Sequence, residues 1–237
     1  MNFTRFKLSI ALKAATVLFS FGGVILACAF SSADGYHPWG TRLLYFTQLS
    51  NIWIGAICLC ILLCNAFGKR GGRASVKPWM YTLKFIFTVS IALTGIIFCG
   101  LLAPFADDSY NAWSFYSIFN HAVVPVLALV DFYVDPYPLV FKRRNILYSA
   151  MPPFVYFILC IILNVLNVDF GKGEPYPYIF LNFKTKAGFF GIVASDPYPI
   201  VGSFYWLLVC FAVIIGVAYL LYRLHPSTMG ARRKSKD

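Results

Sequence analysis

Six long apolar runs alternate with polar or aromatic connectors along this chain, at about 8–30, 42–67, 80–103, 114–134, 148–168 and 201–222. An α-helix needs about 20 mainly apolar residues to cross the hydrocarbon core of a bilayer, and every run meets that length. The pattern predicts an all-α fold, a polytopic bundle of six transmembrane helices, with residues 1–237 forming one integral membrane domain. The first run begins near Arg5 and Lys7 and is followed by Ser31, Ser32 and Ala33, as a signal peptide would be. Its apolar core exceeds the about 7–15 residues of a signal h-region, so it is read as a span.

Two of the runs carry a polar stripe. In Tyr45-Phe46-Thr47-Gln48-Leu49-Ser50-Asn51, the residues Thr47, Ser50 and Asn51 are spaced i, i+3 and i+4, which stacks them on one helix face. Ser114, Ser117, Asn120 and His121 recur at spacings of three and four in the fourth run, and His121 is the only histidine set within an apolar run. Both runs cross in the same direction. Counted at 1.5 Å per residue from the run starts, Thr47 lies about 8 Å and His121 about 10 Å below the same boundary. The two side chains are therefore level. Pro125, four residues after His121, is expected to kink the fourth span and strip the His121 carbonyl of its helical donor. Asp131 lies about 15 Å deeper, too far to orient the imidazole. Lys13 and Lys84 are expected to snorkel to the basic surface.

Composition closes off the soluble classes. With 59% hydrophobic residues, 12% charged residues and a mean hydropathy of +0.71, the chain is too apolar for a soluble domain of 237 residues. Its formal charge of +11 does not mark a nucleic-acid partner, because the bases cluster between runs. Lys69, Arg70, Arg73 and Lys77 fill one connector, Lys142, Arg143 and Arg144 another, and Arg232, Arg233, Lys234 and Lys236 the tail. With Arg5 and Lys7 they define one side, while Asp34, Asp107, Asp108, Asp169, Glu174 and Asp196 fall on the other. The positive-inside rule then predicts cytoplasmic termini in a multi-pass protein of the cell membrane, with both polar stripes in the outer half. All seven cysteines sit inside apolar runs, where thiols behave as small hydrophobes. No further ligand is placed to complete a zinc site with Cys60 and Cys64.

A threonine hydroxyl becomes a nucleophile when a base takes its proton, and a neutral histidine within hydrogen-bond reach is the commonest device. Thr47 is therefore the candidate nucleophile and His121 its base, with Ser50 a second candidate hydroxyl. Asn51 and Asn120 are candidates to orient the base or donate to an oxyanion, and Ser117 shares their polar face. The same residue types also bridge transmembrane helices with no catalytic role. The fifth connector, Asp169 to Ile200, is the longest and is dense in aromatics and prolines, including Tyr176 and Tyr178. Such a loop is expected to fold back as a lid. His37 and His225, each next to a proline at a boundary, read as structural.

Three stretches together resemble one family. Tyr45-Phe46-Thr47-Gln48-Leu49-Ser50-Asn51, Asn120-His121-Ala122-Val123-Val124-Pro125 and Tyr176-Pro177-Tyr178-Ile179-Phe180-Leu181 are similar to motifs of prokaryotic six-span proteins related to the androgen-induced protein family. Members of the eukaryotic family hydrolyse fatty acid esters of hydroxy fatty acids with a membrane-embedded threonine and histidine. The resemblance places that threonine on Thr47 and that histidine on His121. It implies a lipid ester hydrolase or acyl transferase that draws its substrate from the bilayer and needs no cofactor. A lipid or small-amphiphile binding or transport protein would use the same cavity without chemistry, and a structural subunit of a larger complex would show neither turnover nor a copurifying ligand.

Overall fold

The computed structural model describes residues 3–33, 39–68, 76–104, 112–135, 141–171, 173–195 and 199–225. His37, Asp34, Asp107, Asp108, Asp196, Lys69, Arg70, Arg73 and the basic tail lie outside the described residues. The structure is 75% helical with almost no strand. Six helices are long and apolar enough to cross a membrane, over Thr4–Phe30, Phe46–Phe67, Pro78–Leu102, Phe115–Val134, Arg144–Val165 and Ser203–Leu224. The protein is a multi-pass integral membrane protein of the all-α class.

In chain order the elements are α1 (Phe3–Ala33), the short α2 (Trp39–Arg42), α3 (Phe46–Phe67) and α4 (Pro78–Ile97), which runs on as a π-helical turn, Phe98–Leu102. The fourth span is built from α5 (Phe115–Ile118), a second π-helical turn (Phe119–Val123) and α6 (Val124–Val134). The fifth is α7 (Arg144–Tyr148) and α8 (Met151–Val165), and the sixth is α9 (Ser203–Leu224). Pro152 and Pro153 explain the break between α7 and α8. Neither can donate an amide, which stops α7, yet both fit the first turn of α8. The 3₁₀ turn Ile179–Leu181 and an antiparallel pair, β1 (Ile192–Val193) with β2 (Ile200–Val201), lie in the fifth connector.

The centre of the bundle is α4, which touches α3, α6, α8 and α9, while α1 lies against α3 and α6. Lipid supplies no hydrophobic force between helices, so close approach through small residues is what brings them together. A Cβ on Gly55 of α3 would meet the Ser20 side chain of α1, and one on Gly23 of α1 would meet Asn120 Oδ1. Rings fill the remaining space, including Phe85 against Phe132 and Phe141, and Phe46 between Trp53 and Tyr156. His225 packs its ring on Phe132 and Phe141, so it belongs to this aromatic floor.

Lys13 and Lys84 correct the expectation that they snorkel, being only 1% and 2% exposed. Lys13 Nζ lies 3.0 Å from Asp131 and 2.8 Å from Asp135, and Lys84 Nζ lies 2.5 Å and 2.6 Å from the same two carboxylates. Ser9 Oγ donates to Asp131 Oδ1 at 2.7 Å. Two lysines and two aspartates at one depth neutralise each other inside the bundle, which removes the reason for either ammonium to reach for water. Asp131 is fully buried in this quartet.

Candidate active site

Arg42 ends α2 instead of starting the second span. The turn that follows, with Leu44 N–H on Thr41 O at 3.0 Å and Tyr45 N–H on Arg42 O at 3.3 Å, delays the span to Phe46. Thr47 is therefore the second residue of α3 and not five residues inside a helix. In a first turn the backbone N–H has no intrahelical acceptor, and Thr47 N–H donates instead to Tyr178 Oη at 3.3 Å. The helix terminus also places a partial positive charge beside the threonine hydroxyl.

His121 sits inside the π-helical turn Phe119–Val123. Pro125 acts here, but differently from a simple kink. Val124 N–H bonds Phe119 O, five residues back, and in that pattern the carbonyl that would await the missing Pro125 N–H is that of Asn120 and not His121. Asn51 Nδ2 fills the gap, donating to Asn120 O at 3.2 Å and to Thr47 O at 2.8 Å. One amide thus ties the backbone of Thr47 to the turn that carries His121. Gly95 of α4 lies against the same turn, where an added Cβ would stand 3.1 Å from His121 O. Phe98 stacks on the imidazole, with centroids 4.1 Å apart and planes at 15°.

Thr47 Oγ1 is 3.2 Å from His121 Nε2, and both residues are 6% exposed. On the far side of the ring, His121 Nδ1 is 2.9 Å from Ser117 O. A carbonyl can only accept, so Nδ1 carries the proton and Nε2 presents its lone pair to Thr47. Ser117 Oγ, 3.2 Å from Nδ1, lies beside the same hydrogen bond. Tyr178 Oη is 3.3 Å from Thr47 Oγ1.

Other candidate residues take supporting positions. Ser50 bonds Thr94 Oγ1 at 2.8 Å and Thr47 O at 3.1 Å, which pins α3 to α4 and commits its hydroxyl to those partners. The amide protons of Asn51 and Asn120 are committed to backbone carbonyls and, for Asn120, Gln48 Oε1 at 3.4 Å. This corrects their reading as oxyanion donors. Tyr176 is half-buried in the connector. Thr94, Phe98 and Gly95 went unnoticed in the sequence, although Ser90 and Thr94 form their own i, i+4 polar stripe in the third run.

The connector reaches the site because its start is fixed. Asp169 Oδ1 accepts from Gly171 N–H at 2.7 Å and Gly173 N–H at 3.1 Å, Gly173 adopts φ +79°, and Asn164 Nδ2 holds Pro175 O at 3.0 Å. That turn sends Tyr178 back over α3, where Tyr45 meets it edge-on at 5.6 Å and Phe180 stacks on it at 5.2 Å. Thr47 and Tyr178 open onto an apolar cavity enclosing about 640 Å³ of empty space, its open mouth included. Its walls come from α3, α4, α8, α9 and the connector, with Leu93, Ile97, Phe157, Leu207, Phe211 and Ile214 prominent. The expected cavity between the second and fourth spans is thus displaced. The fourth span brings His121 in behind Thr47, and the fifth and sixth supply the walls. Comparison of the chain with protein-family models, curated proteins and solved structures finds no match.

Proposed function

We propose that this protein is a membrane-embedded hydrolase or acyl transferase that acts on lipid acyl esters, with Thr47 as nucleophile and His121 as its base. The observation that carries the reading is the 3.2 Å approach of Thr47 Oγ1 to an imidazole nitrogen left unprotonated by the Ser117 carbonyl. The apolar cavity in front of Thr47 suits an acyl chain arriving from the bilayer. The resemblance to the androgen-induced protein family, which places its threonine on Thr47 and its histidine on His121, supports the same pair. Basic connectors facing the cytoplasm of a cell membrane would put this site in the outer half of the bilayer.

The chemistry follows from the geometry. His121 Nε2 takes the Thr47 proton as Oγ1 bonds to the ester carbonyl carbon, and the carbonyl π electrons move onto oxygen. Collapse of that intermediate breaks the bond to the alcohol, which leaves with the proton from His121, and an acyl-threonine remains. Water, or a second alcohol in transfer, then attacks the acyl group while His121 takes its proton, and Thr47 is regained as that proton returns to Oγ1. Intact-mass mapping after fluorophosphonate treatment tests this directly, with an adduct on Thr47 expected and its absence from the His121→Ala protein. A protein that takes up no adduct yet copurifies with a lipid would instead be a binding or transport protein. The hydrogen bonds of Ser50, Asn51 and Thr94 would then serve packing alone.

A further inference from the structure

We infer that Tyr178 is the residue that holds the substrate's carbonyl oxygen as it becomes negative during attack by Thr47, an inference that rests on the hydrolase reading above. The directions of the hydrogen bonds require it to be a donor at that place. Nδ1 of His121 has spent its proton on Ser117 O, so the Thr47 hydroxyl proton goes to Nε2. The Thr47 hydroxyl has no second proton. The 3.3 Å contact between Thr47 Oγ1 and Tyr178 Oη is therefore made by the phenol's proton, while the phenol oxygen accepts from Thr47 N–H at 3.3 Å.

When Oγ1 bonds to the carbonyl carbon, the new oxyanion sits only two bonds from Oγ1. A donor already within reach of Oγ1 needs a small swing to meet it. The competing donors are occupied, since the Asn51 and Asn120 amides hold backbone carbonyls and Ser50 holds Thr94. Tyr178 also lines the cavity beside Thr47. Its ring is fixed by Phe180 on one face and the edge of Tyr45, so the donor is preorganised, which is the condition for a large electrostatic effect. Burial pushes the phenol up to about 12, so it keeps its proton across the working pH range. The donor comes from the fifth connector, so folding that connector onto α3 completes the site.

The test uses the full chain in phosphatidylcholine vesicles with p-nitrophenyl decanoate. Tyr178→Phe is expected to lose on the order of 10²–10³-fold in kcat with KM near the wild-type value, as when one oxyanion donor is removed. Replacing Tyr178 with a ring-fluorinated tyrosine, which lowers the phenol's pKa, is expected to move the alkaline limb of the kcat profile downward. A tyrosine that merely packs would leave that limb in place. Tyr178→Phe with kcat within a few-fold of wild type, beside an inactive Thr47→Ala, overturns the role of Tyr178 and leaves the hydrolase reading standing. A Thr47→Ala protein as active as wild type, or a wild type inert toward fatty esters, overturns both. Should Tyr178→Phe fail to fold, the fluorinated protein decides, and an unmoved alkaline limb overturns the inference.

Discussion

Lys84 Nζ lies 2.5 Å from Asp131 in the interior of the bundle, and each of these residues is also bound into the pair formed by Lys13 and Asp135. Desolvating four charges is costly, and their mutual neutrality makes it tolerable. Removing one charge leaves an uncompensated ion in a low-dielectric site, for which losses of about 3–5 kcal/mol are usual. Lys84→Met is expected to lower the thermal midpoint in detergent by roughly 10 °C. Lys84→Met combined with Asp131→Leu, which restores neutrality, is expected to recover much of that loss. A double variant less stable than Lys84→Met would mean that the quartet does not act through charge balance.

The lysines show where reading the sequence went astray. Each looked like an isolated base near a span end, for which snorkelling is the ordinary outcome. The signal that could have paired them was present, since Asp131 and Asp135 are one turn apart at the matching end of the fourth span. The six spans themselves were legible because run length alone decides them. The polar faces were legible because spacing of three and four decides those. Which spans are neighbours was not legible, since periodicity says nothing of partners. The π-helical turn and the return of Tyr178 start from local features, the missing Pro125 amide and the Asp169 turn, but their partners, Asn51 on Asn120 O and Thr47 on Tyr178, come from far along the chain.

Thr47 and His121 function as a unit in the proposed reaction, so their losses should not add. Thr47→Ala and His121→Ala are each expected to reduce kcat at least about 10³-fold, and the double variant should be no worse than the more damaging single one. Thr47→Ser, which retains a hydroxyl at the same Cβ, is expected to keep measurable turnover. Additive losses in the three proteins, measured as kcat on one fatty ester, would separate the two residues chemically.

Gly95 offers a way to disturb His121 without touching it. A methyl group there would press on His121 O at 3.1 Å and on Pro125 Cβ at 3.3 Å. Overpacking of this kind costs about 1–3 kcal/mol, and the backbone it would displace carries His121. Gly95→Ala is expected to lower kcat more than tenfold while the protein still folds. Gly22→Ala, where nothing lies within 4 Å of the added atom, is the matched control and should leave both activity and stability unchanged.

Asn51 is expected to matter through position. Asn51→Leu removes the donor to Thr47 O and Asn120 O; Thr47 O keeps the Ser50 hydroxyl, while Asn120 O loses its side-chain donor in a buried place, which costs about 1–3 kcal/mol. Because those carbonyls belong to the segments that set the Thr47 to His121 distance, kcat should fall with little change in KM. The pH dependence of kcat should keep its wild-type shape, because Asn51 touches neither proton in transit. A displaced pH profile would show that Asn51 acts on the imidazole itself.

The cavity sets the last expectation, on chain length. Leu207, Cys210, Phe211 and Ile214 all line it and stand at i, i+3, i+4 and i+7 on α9, so they form one continuous wall. From Leu207 to Ile214 is seven residues, about 10 Å of helix at 1.5 Å each, and Ile214 is fully buried at the far end from Ser203. An acyl chain lying along that wall from Thr47 would meet Ile214 late, and a short chain would not meet it at all. Ile214→Phe is therefore expected to raise KM for long-chain p-nitrophenyl esters several-fold and to spare short-chain ones. Fluorophosphonate labelling of Thr47 by a small reagent should proceed at the wild-type rate. Equal losses across chain lengths would show that the acyl chain does not run along this wall.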